Sequence, residues 1–552
     1  MVRTFVLVLL AMQFASVAYG QGRHQIARSD KGMVVTAQPL ATVAGLRILE
    51  QGGNAADAAT AAGFAIAVVR PSMNSIGGRN QILVRNAAGE VFGIDGTTQA
   101  PEGYDPANAP RASYGYETIG VPGALAALIR LHAEHGSLPL ETVMAPAIEF
   151  AENGFRLLPG QALFHQSAAS RIAESEGARA TYLKPDGSPY GVGELLRQPD
   201  LANTLRRISL GGADVFYRGE IAEAIAADMA ENGGFVTRQS LADYEALDAR
   251  ILGGSYRGYD LVGMDIPAAG AITIQALHIM ETFDRSQYNA EEWGVITAQA
   301  IALALPDLMA LDSDTGAARA TSKEWALEQA AKVRLTVGDD TDKQGGYRAA
   351  VPSLEEQTHT THLSVADSAG MVVSLTQTLG PAMGSAVATP GLGVLYAVTL
   401  GGYGTRALQP GERGRFSITP FLVLRNGEPY MVLGSAGDLF IISSVVQAVT
   451  RVVDDGMSFP DALAAARVHP TFDSTFTSFN GVSMETSGRM GWTEAQVQAV
   501  EAMGFDVTPV ARIGSFGRIH GIQFDAESGA WIGVAEPDAE GTALGPPPSR
   551  RR

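Results

Sequence analysis

The stretch EEQTHTTHLSVADSAGMVVSLTQT, residues 355–378, runs from a polar segment into two apolar strands that are separated by a tight turn. Apolar residues on both sides of Ala369-Gly370 predict an antiparallel hairpin. The first strand opens on two threonines inside the sequence HTTH, residues 359–362. Such a pair fits either an ordinary polar strand start or a catalytic threonine.

Further hairpins and helices surround this stretch. The segments QILVRNAAGEVFGID, residues 81–95, and FLVLRNGEPYMVLGS, residues 421–435, predict apolar hairpins, the second through its Asn-Gly turn. Apolar residues recur at helical spacing in residues 140–155 and 220–234. Blocks of helices combined with antiparallel hairpins predict an α+β layered domain whose sheets are covered on both faces.

The composition excludes several classes of partner and chemistry. The 552 residues carry a formal net charge of −18, which makes nucleic acid or an anionic membrane surface an unfavourable partner. The chain has no cysteine, so disulfides, thiol catalysis and cysteine-based metal sites are excluded.

The first twenty residues predict export. Arg3 precedes an apolar run, and small residues follow that run, as in a secretory signal peptide. We therefore predict that residues 1–20 are removed from the mature protein. A signal anchor is the alternative interpretation. No later stretch reaches the length of apolar residues that a transmembrane helix requires. We therefore expect the protein in a bacterial periplasm or outside the cell.

Three interpretations compete for residues 359–362. A metal pair formed by His359 and His362 is disfavoured, because residues three apart on a strand point to opposite faces and no third ligand lies nearby. An ordinary strand start is the simplest interpretation. The third is chemical: a threonine whose α-amine is freed by cleavage carries its own general base, with a pKa of roughly 7.7–8.0. Thr360 is the candidate for that role.

A resemblance to a known family adds to this interpretation. The residues that carry it are Thr360–Val365 with the hairpin that follows, Thr378, and four segments in order along the chain. These segments are GMVVTAQPLATVAGLRILEQGGNAADAATA (residues 32–61), GVPGALAAL (120–128), YRGEIAEAIAADMAENGGFVT (217–237) and GSYRGYDLVGMDIPAAG (254–270). The chain resembles the gamma-glutamyltranspeptidase family of N-terminal-nucleophile hydrolases over nearly its whole mature length.

The resemblance implies a specific architecture and mechanism. It implies a four-layer αββα sandwich, made as one inactive chain that cuts itself between His359 and Thr360. Residues 21–359 and 360–552 would then remain together as a heterodimer of two fragments. Thr360 would attack the carbonyl of a small-molecule amide and pass the acyl group to water or an amine. Thr378 matches the threonine that hydrogen-bonds the nucleophile, and no metal or cofactor is implied.

A site for the developing oxyanion is expected after a later strand. The stretch MVLGSAGDLFIISSVVQAV, residues 431–449, predicts a strand, a turn of small residues and a helix that opens near Asp438. Backbone N–H groups at a helix start suit an oxyanion. The family's two donor glycines align with Gly437 and Asp438. Alternatively, Asp438 is only a helix N-cap.

The positions that match the family's substrate-binding residues are altered. The family's arginine is replaced by Thr97, its serine pair by Phe416-Ser417, its asparagine by Gly380 and its amine-binding aspartate by Gly402. A carboxylate bound without its arginine loses a contact worth about 1.5–3 kcal/mol. Candidate replacement cations are Arg79 and Arg415, although each is also expected as an ordinary surface or structural residue.

These observations leave three functional hypotheses. The first is an exported amidohydrolase or acyltransferase whose acyl group is less polar than glutamyl, or is anionic and anchored elsewhere. The second is a true gamma-glutamyltransferase or glutathione hydrolase. The third is a non-catalytic periplasmic binding protein that keeps the same fold.

Overall fold

The structure is a computed structural model that describes residues 25–310, 313–336, 360–401, 407–472, 479–487, 490–511, 516–537 and 539–547. Within these ranges, helices and antiparallel strands form the layered α+β architecture that the sequence predicts. No described helix combines the length and apolar character that a membrane crossing needs.

The first large sheet carries the predicted catalytic strand near its centre. Its seven strands are β2 (Gly32–Thr36), β3 (Arg79–Arg85), β4 (Val91–Gly96), β7 (Leu247–Asp248), β10 (Thr361–Asp367), β11 (Val372–Thr378) and β19 (Thr542–Leu544). They lie in the order β19-β2-β10-β11-β3-β4-β7.

A second seven-stranded sheet packs against the first. The strands outside the first sheet are β1 (Ile26–Ser29), β5 (Phe155–Arg156), β6 (Leu195–Leu196), β8 (Ile251–Tyr256), β9 (Tyr259–Met264), β12 (Phe421–Arg425), β13 (Glu428–Ala436), β14 (Val468–Phe472), β15 (Phe479–Glu485), β16 (Asp506–Val510), β17 (Arg518–Asp525) and β18 (Ala530–Ala535). The second sheet has the order β1-β18-β17-β13-β12-β9-β8. Two smaller sheets, β14-β15-β16 and β5-β6, are peripheral to the two large ones.

Helices cover the outer face of each large sheet. The helices before residue 260 are Pro39–Glu50, Ala55–Val69, Ala124–His135, Leu140–Asn153, Pro159–Ser167, Ala169–Glu174, Glu176–Tyr182, Pro199–Gly211, Ala213–Tyr217, Glu220–Glu231 and Arg238–Ala242. The later helices are Gly270–Glu281, Ala290–Ala304, Asp307–Ala310, Ser313–Ala320, Lys323–Ala330, Phe440–Val453, Phe459–Ala464 and Glu494–Ala502.

Side chains that alternate between the two faces of each sheet produce the four layers. In β2, Val34 points into the apolar cluster beneath the helices, while its neighbours Met33 and Val35 point into the cluster between the two sheets. Successive side chains of a strand face opposite sides, so one strand serves two cores. A third cluster lies between the second sheet and the helices Gly270–Glu281, Ala290–Ala304 and Phe440–Val453. The predicted αββα sandwich is therefore confirmed.

Local sequence signals account for several elements. Asn426 and Gly427 both adopt positive φ angles, 54° and 77°, as a type I′ hairpin turn requires. The helix Ala55–Val69 begins with a capping box in which Asn54 and Asp57 bond to each other's backbone N–H. Every residue of that helix is buried, which explains its nearly continuous alanine and aliphatic sequence.

Candidate active site

Thr360 lies at the buried start of the central strand of the first sheet. It directly precedes β10, which pairs with β2 on one side and with β11 on the other. Its hydroxyl donates to the Thr378 hydroxyl, with an Oγ1–Oγ1 distance of 3.3 Å. The residue is only 7% exposed. The two threonines that sequence analysis associated with catalysis are therefore in direct contact.

Thr378 is held by the turn that follows it. β11 ends at Thr378, and the Gly380 N–H donates to the Thr378 hydroxyl oxygen at 2.9 Å. Gly380 has a φ of 86°, a conformation that glycine adopts without strain. The structure thus places Gly380 beside the two threonines, where its backbone N–H fixes the orientation of Thr378.

The neighbours of Thr360 have structural partners. Thr361 donates to the Gln377 carbonyl at 3.1 Å and accepts from the Asn74 side chain. His362 bonds through Nδ1 to the Thr376 hydroxyl at 2.8 Å and through Nε2 to the Ser364 hydroxyl at 3.0 Å. Burial, together with the charge of His520, lowers the pKa of His362 well below its ordinary value. His362 is therefore a neutral residue that links strands within the core.

His362 depends on a glycine that sequence reasoning missed. A Cβ on Gly434 would lie 2.2 Å from the Cε1 atom of the His362 ring, so only glycine leaves room for the imidazole between the sheets. His359 lies outside the described residues. Among the residues that the structure describes, no group of three or more histidines and carboxylates is arranged to hold a metal ion.

The turn after β13 has the shape expected of an oxyanion site. Gly437 has a φ of 127°, and a Cβ there would approach the Gly517 Cα to 2.8 Å, so this position requires glycine. Asp438 follows with a φ of 51°. Within the described ranges, neither of these two N–H groups donates to a backbone carbonyl. Both are thus available to a ligand.

The helix that was expected to open near Asp438 begins at Phe440. It spans Phe440–Val453, its N-cap is Leu439, and that residue makes no side-chain capping bond. The Phe440 and Ile441 N–H groups donate to the carbonyls of Gly437 and Asp438 at 3.1 and 3.0 Å. The interpretation of Asp438 as the helix N-cap is therefore wrong, because the left-handed φ places it in the turn before the helix.

Arg79 belongs to the same site. Arg79 and Thr378 are directly opposite partners in the β3–β11 ladder, so their side chains lie on the same face of the sheet. The Arg79 guanidinium carbon lies 3.8 Å from the centre of the Phe416 ring, and Nη1 donates to the Val398 carbonyl at 2.7 Å. Arg79 is 1% exposed. It is therefore a buried cation beside the threonine pair, and not a surface residue.

Asp438 and Ser417 complete this cluster. Desolvation raises the pKa of Asp438, and the Ser417 hydroxyl, the Arg79 charge and the Leu439 backbone N–H oppose that shift. Ser417 is buried. Arg79 and Ser417 thus both act on the carboxylate of the turn formed by Gly437 and Asp438.

The other predicted substrate-binding positions differ in their surroundings. Thr97 is 1% exposed, and its hydroxyl accepts from the Gln81 side chain at 2.7 Å. It lies beside the ion pair of Arg413 and Asp95, whose Nη1 and Oδ2 atoms are 2.9 Å apart. Nothing in the sequence pattern had indicated that pair. Gly402 lies outside the described residues, and Arg415 is half-buried.

Comparisons with known proteins agree with this geometry. The family model described as gamma-glutamyltranspeptidase matches residues 41–545. The "Acylase ACY 1 proenzyme" of a Pseudomonas species is 33% identical, over 94% of this chain and 94% of that protein. The "Glutathione hydrolase proenzyme" of Escherichia coli is 30% identical, over 90% of each chain.

A solved structure extends the likeness to the fold. The crystal structure of cephalosporin acylase from Bacillus halodurans superposes with a TM-score of 0.83 at 28% identity, over 95% of this chain and 97% of that one. Both the sequence match and the fold thus extend over nearly the whole described chain. The chain therefore belongs to the gamma-glutamyltranspeptidase family and is an acyl-transferring amidohydrolase of the N-terminal-nucleophile type.

Proposed function

We propose that Thr360 is the nucleophile and that its own α-amine, freed by cleavage after His359, is the general base. The observation that carries this proposal is the 3.3 Å hydrogen bond between the Thr360 and Thr378 hydroxyls at the start of a buried strand. A threonine hydroxyl becomes a useful nucleophile when a base of suitable pKa lies beside it. Thr378 is the positioning residue that fixes the attacking oxygen.

The reaction then proceeds in two acyl transfers. The α-amine takes the hydroxyl proton as the Thr360 oxygen attacks the amide carbonyl, and the backbone N–H groups of Gly437 and Asp438 stabilise the resulting oxyanion. Collapse of the tetrahedral intermediate breaks the C–N bond, and the departing amine receives the proton. Water or an acceptor amine next attacks the Thr360 ester, which releases the acid or a new amide and restores the hydroxyl.

Self-processing gives a stable pair of fragments. Cleavage between His359 and Thr360, after removal of residues 1–20, yields residues 21–359 and 360–552. β10 of the second fragment pairs with β2 of the first, and β11 of the second pairs with β3 of the first. Because both large sheets mix strands from the two fragments, the cut leaves the hydrogen-bonded sheets continuous. The fragments are each other's partner in a heterodimer.

The substrate is an amide whose acyl group differs from gamma-glutamyl. Thr97, which matches the family's arginine, is buried and bonded to Gln81, and Ser417 is buried as well. Phe416 contributes an apolar wall over Arg79. These observations favour an acylase that acts on small-molecule amides, like the relative named an acylase. The likeness to a glutathione hydrolase supports gamma-glutamyl hydrolysis as the second candidate function.

We place this activity in the bacterial periplasm or outside the cell, because residues 1–20 have the pattern of a signal peptide. The N-terminal residue of the protein recovered from periplasm or culture medium tests this placement. A mature chain that begins near residue 21 is expected. A chain that keeps residues 1–20 would contradict export by cleavage.

Trapping of the acyl-enzyme tests the function directly. We expect N-acyl-p-nitroanilides with neutral acyl groups to release p-nitroaniline and to add the mass of the acyl group to the fragment that begins at Thr360. The Thr360→Ser variant keeps a hydroxyl nucleophile and serves as the control, whereas Thr360→Ala removes it. Release of glutamate from gamma-glutamyl-p-nitroanilide as the dominant activity would favour the second candidate. Absence of any adduct would favour the non-catalytic binding protein.

A further inference from the structure

We propose that Asn74 positions the general base of the active site: its Oδ1 atom accepts a hydrogen bond from the α-amine that cleavage frees on Thr360. The amine is then held in one orientation beside the hydroxyl whose proton it takes. This inference rests on the proposed function and deepens it, because it names a residue outside the threonine pair that orients the base.

Asn74 belongs to a segment that lies against the ends of β10 and β11. The backbone N–H of the residue after Thr378 donates to the Met73 carbonyl at 3.0 Å. The Asn74 side chain donates to the hydroxyl of Thr361, the residue after Thr360. Hydrogen bonds to the residues that follow the two threonines thus place Asn74 beside the pair.

Hydrogen-bond roles fix which end of the Asn74 amide faces Thr361. The Thr361 hydroxyl donates its only proton to the Gln377 carbonyl at 3.1 Å, so it can only accept from Asn74. The atom that faces it is therefore the Nδ2 donor, and Oδ1 is left for another partner. Asn74 is 1% exposed, and no donor among the described residues bonds to Oδ1. A buried side-chain oxygen normally has a donor, so one is expected here.

The α-amine of Thr360 is a donor that forms only when the chain is cut. Before cleavage the Thr360 nitrogen is an amide with a single N–H, and cleavage adds further N–H donors to it. Thr360 is 7% exposed, so the amine has little contact with water and needs acceptors from the protein. Asn74 is itself held in place, because its backbone N–H donates to the Arg70 carbonyl at 3.0 Å. An acceptor on a fixed segment holds the base in the orientation that proton transfer requires.

Two variants separate the two bonds of the Asn74 amide. Asn74→Leu keeps a side chain of similar size and removes both bonds, whereas Thr361→Val removes only the Nδ2 contact. With N-acyl-p-nitroanilides we expect Asn74→Leu to lower kcat on the order of ten- to a hundredfold and to change KM little, because a misoriented base slows proton transfer. Asn74→Ala, which adds no bulk to the segment, should behave in the same way, and Thr361→Val should lower kcat much less. Equal losses of kcat in Asn74→Leu and Thr361→Val would overturn the proposal, because Asn74 would then act only by holding Thr361.

Carbamoylation by cyanate reports on the amine without any turnover. Residues 360–552 contain no lysine, so the Thr360 α-amine is the only primary amine of that fragment, and intact mass follows its modification. Cyanate reacts with the neutral amine, whereas an acceptor such as Oδ1 favours the protonated form. Loss of the acceptor in Asn74→Leu should therefore speed carbamoylation at neutral pH on the order of tenfold.

Thr361→Val is the matched control for carbamoylation. It keeps the Asn74 Oδ1 atom, so its amine should react at the wild-type rate. The charged and titratable side chains of the surrounding segments are the same in every variant: Arg70, Arg79, His362 and Asp438. A difference in rate between Asn74→Leu and Thr361→Val therefore reports the loss of the acceptor.

The outcomes separate this inference from the proposed function. An uncut wild-type chain would refute the proposed function, because no α-amine would form. In a cut wild-type protein, carbamoylation that is no faster in Asn74→Leu and Asn74→Ala would overturn the role of Asn74, whether or not an acyl adduct forms on Thr360. Asn74 variants that stay uncut while the wild type is cut would also overturn it, because Asn74 would then act before the amine exists.

Discussion

Arg79 and Thr378 lie directly opposite each other across β3 and β11, so a buried guanidinium and the hydroxyl that accepts from Thr360 share one face of the sheet. In the proposed mechanism, Thr378 orients the attacking Thr360 oxygen. The hydroxyl of Thr378 is therefore the first group to remove in a test of that mechanism.

Removal of the Thr378 hydroxyl should slow acylation without loss of the fold. Thr378→Val keeps the shape and the β propensity of the residue, but it leaves the Thr360 hydroxyl without the partner at 3.3 Å. A misoriented nucleophile should lower kcat/KM on the order of a hundredfold. Steady-state kinetics measure this loss, and Thr378→Ser, which restores a hydroxyl, is the control. Near wild-type kinetics in Thr378→Val would contradict the positioning role.

The proposed oxyanion turn should not tolerate a side chain at Gly437. An alanine there would meet Gly517 at 2.8 Å and adopt a φ of 127°, at a cost of about 1–3 kcal/mol of stability. Displacement of the turn should also lower kcat on the order of a hundredfold or more.

A second glycine provides the control for Gly437→Ala. Gly370, at the β10–β11 turn, has a φ of 87°, and a Cβ added at this position would have no described atom within 4 Å. Gly370→Ala should lower stability by about 1–2 kcal/mol and leave kcat unchanged. Urea unfolding and kinetics on both variants make the comparison. Equal kcat losses in the two variants would contradict a specific role for the Gly437 turn.

The buried ion pair of Arg467 and Glu536 should be indispensable for stability. Their side chains are 2% and 3% exposed, with Nη2 and Oε2 2.9 Å apart, and Arg467 also donates to the Gly517 carbonyl at 2.6 Å. Glu536→Gln leaves a buried cation without its counterion and should cost about 3–5 kcal/mol. Urea unfolding measures this loss.

The Gly517 contact links this pair to the oxyanion turn. Because Gly517 packs against Gly437, the Glu536→Gln protein that remains folded should also have a lower kcat. The Arg467→Met/Glu536→Leu double variant removes both charges and should be less destabilised than Glu536→Gln alone. A double variant that is less stable than the single one would contradict an electrostatic origin of the loss.

Acid should destabilise the protein through its buried histidines. Burial lowers the pKa of His165 to about 4, below the ordinary value of 6.5. The unfolded chain therefore binds a proton more readily, so the stabilising contribution is complete above pH 6.5 and is lost as the pH falls towards 4. That difference corresponds to roughly 3 kcal/mol.

The His165→Phe variant tests this contribution. It removes the titrating ring from a fully buried position, so the fall in the free energy of unfolding between pH 6.5 and 4 should shrink by about the same 3 kcal/mol. Urea unfolding of both proteins at pH 7.5 supplies the reference. An identical pH dependence of the free energy of unfolding in the two proteins would show that His165 does not contribute to the loss of stability in acid.

Local signals predicted much of the fold. The Asn426-Gly427 turn and the hairpin of β10 and β11 follow from residues that are neighbours in the chain. The pairing of β10 with β2 could not be read from such signals, because these strands are separated by more than three hundred residues. The four-layer arrangement followed from the family resemblance, and not from periodicity.

Local sequence signals also predict only part of the candidate site. The proposed role of Thr360 follows from threonine chemistry and the resemblance, and that of Thr378 from the resemblance alone. The contact of Arg79 with Phe416 depends on packing between distant segments, and each residue alone is ordinary in sequence. Aspartate is a common N-cap residue, but the N-cap is Leu439, because the positive φ of Asp438 places that residue in the turn before the helix.

Intact mass of the purified protein beside its Thr360→Ala variant tests whether the chain cuts itself before Thr360. For the wild type we expect two fragments of about 35 and about 20 kDa, scaled from 57.8 kDa over 552 residues, with threonine as the first residue of the smaller one. The variant should remain one uncut chain. A single uncut wild-type chain would contradict the proposed mechanism, because Thr360 would then lack the free α-amine that its chemistry requires.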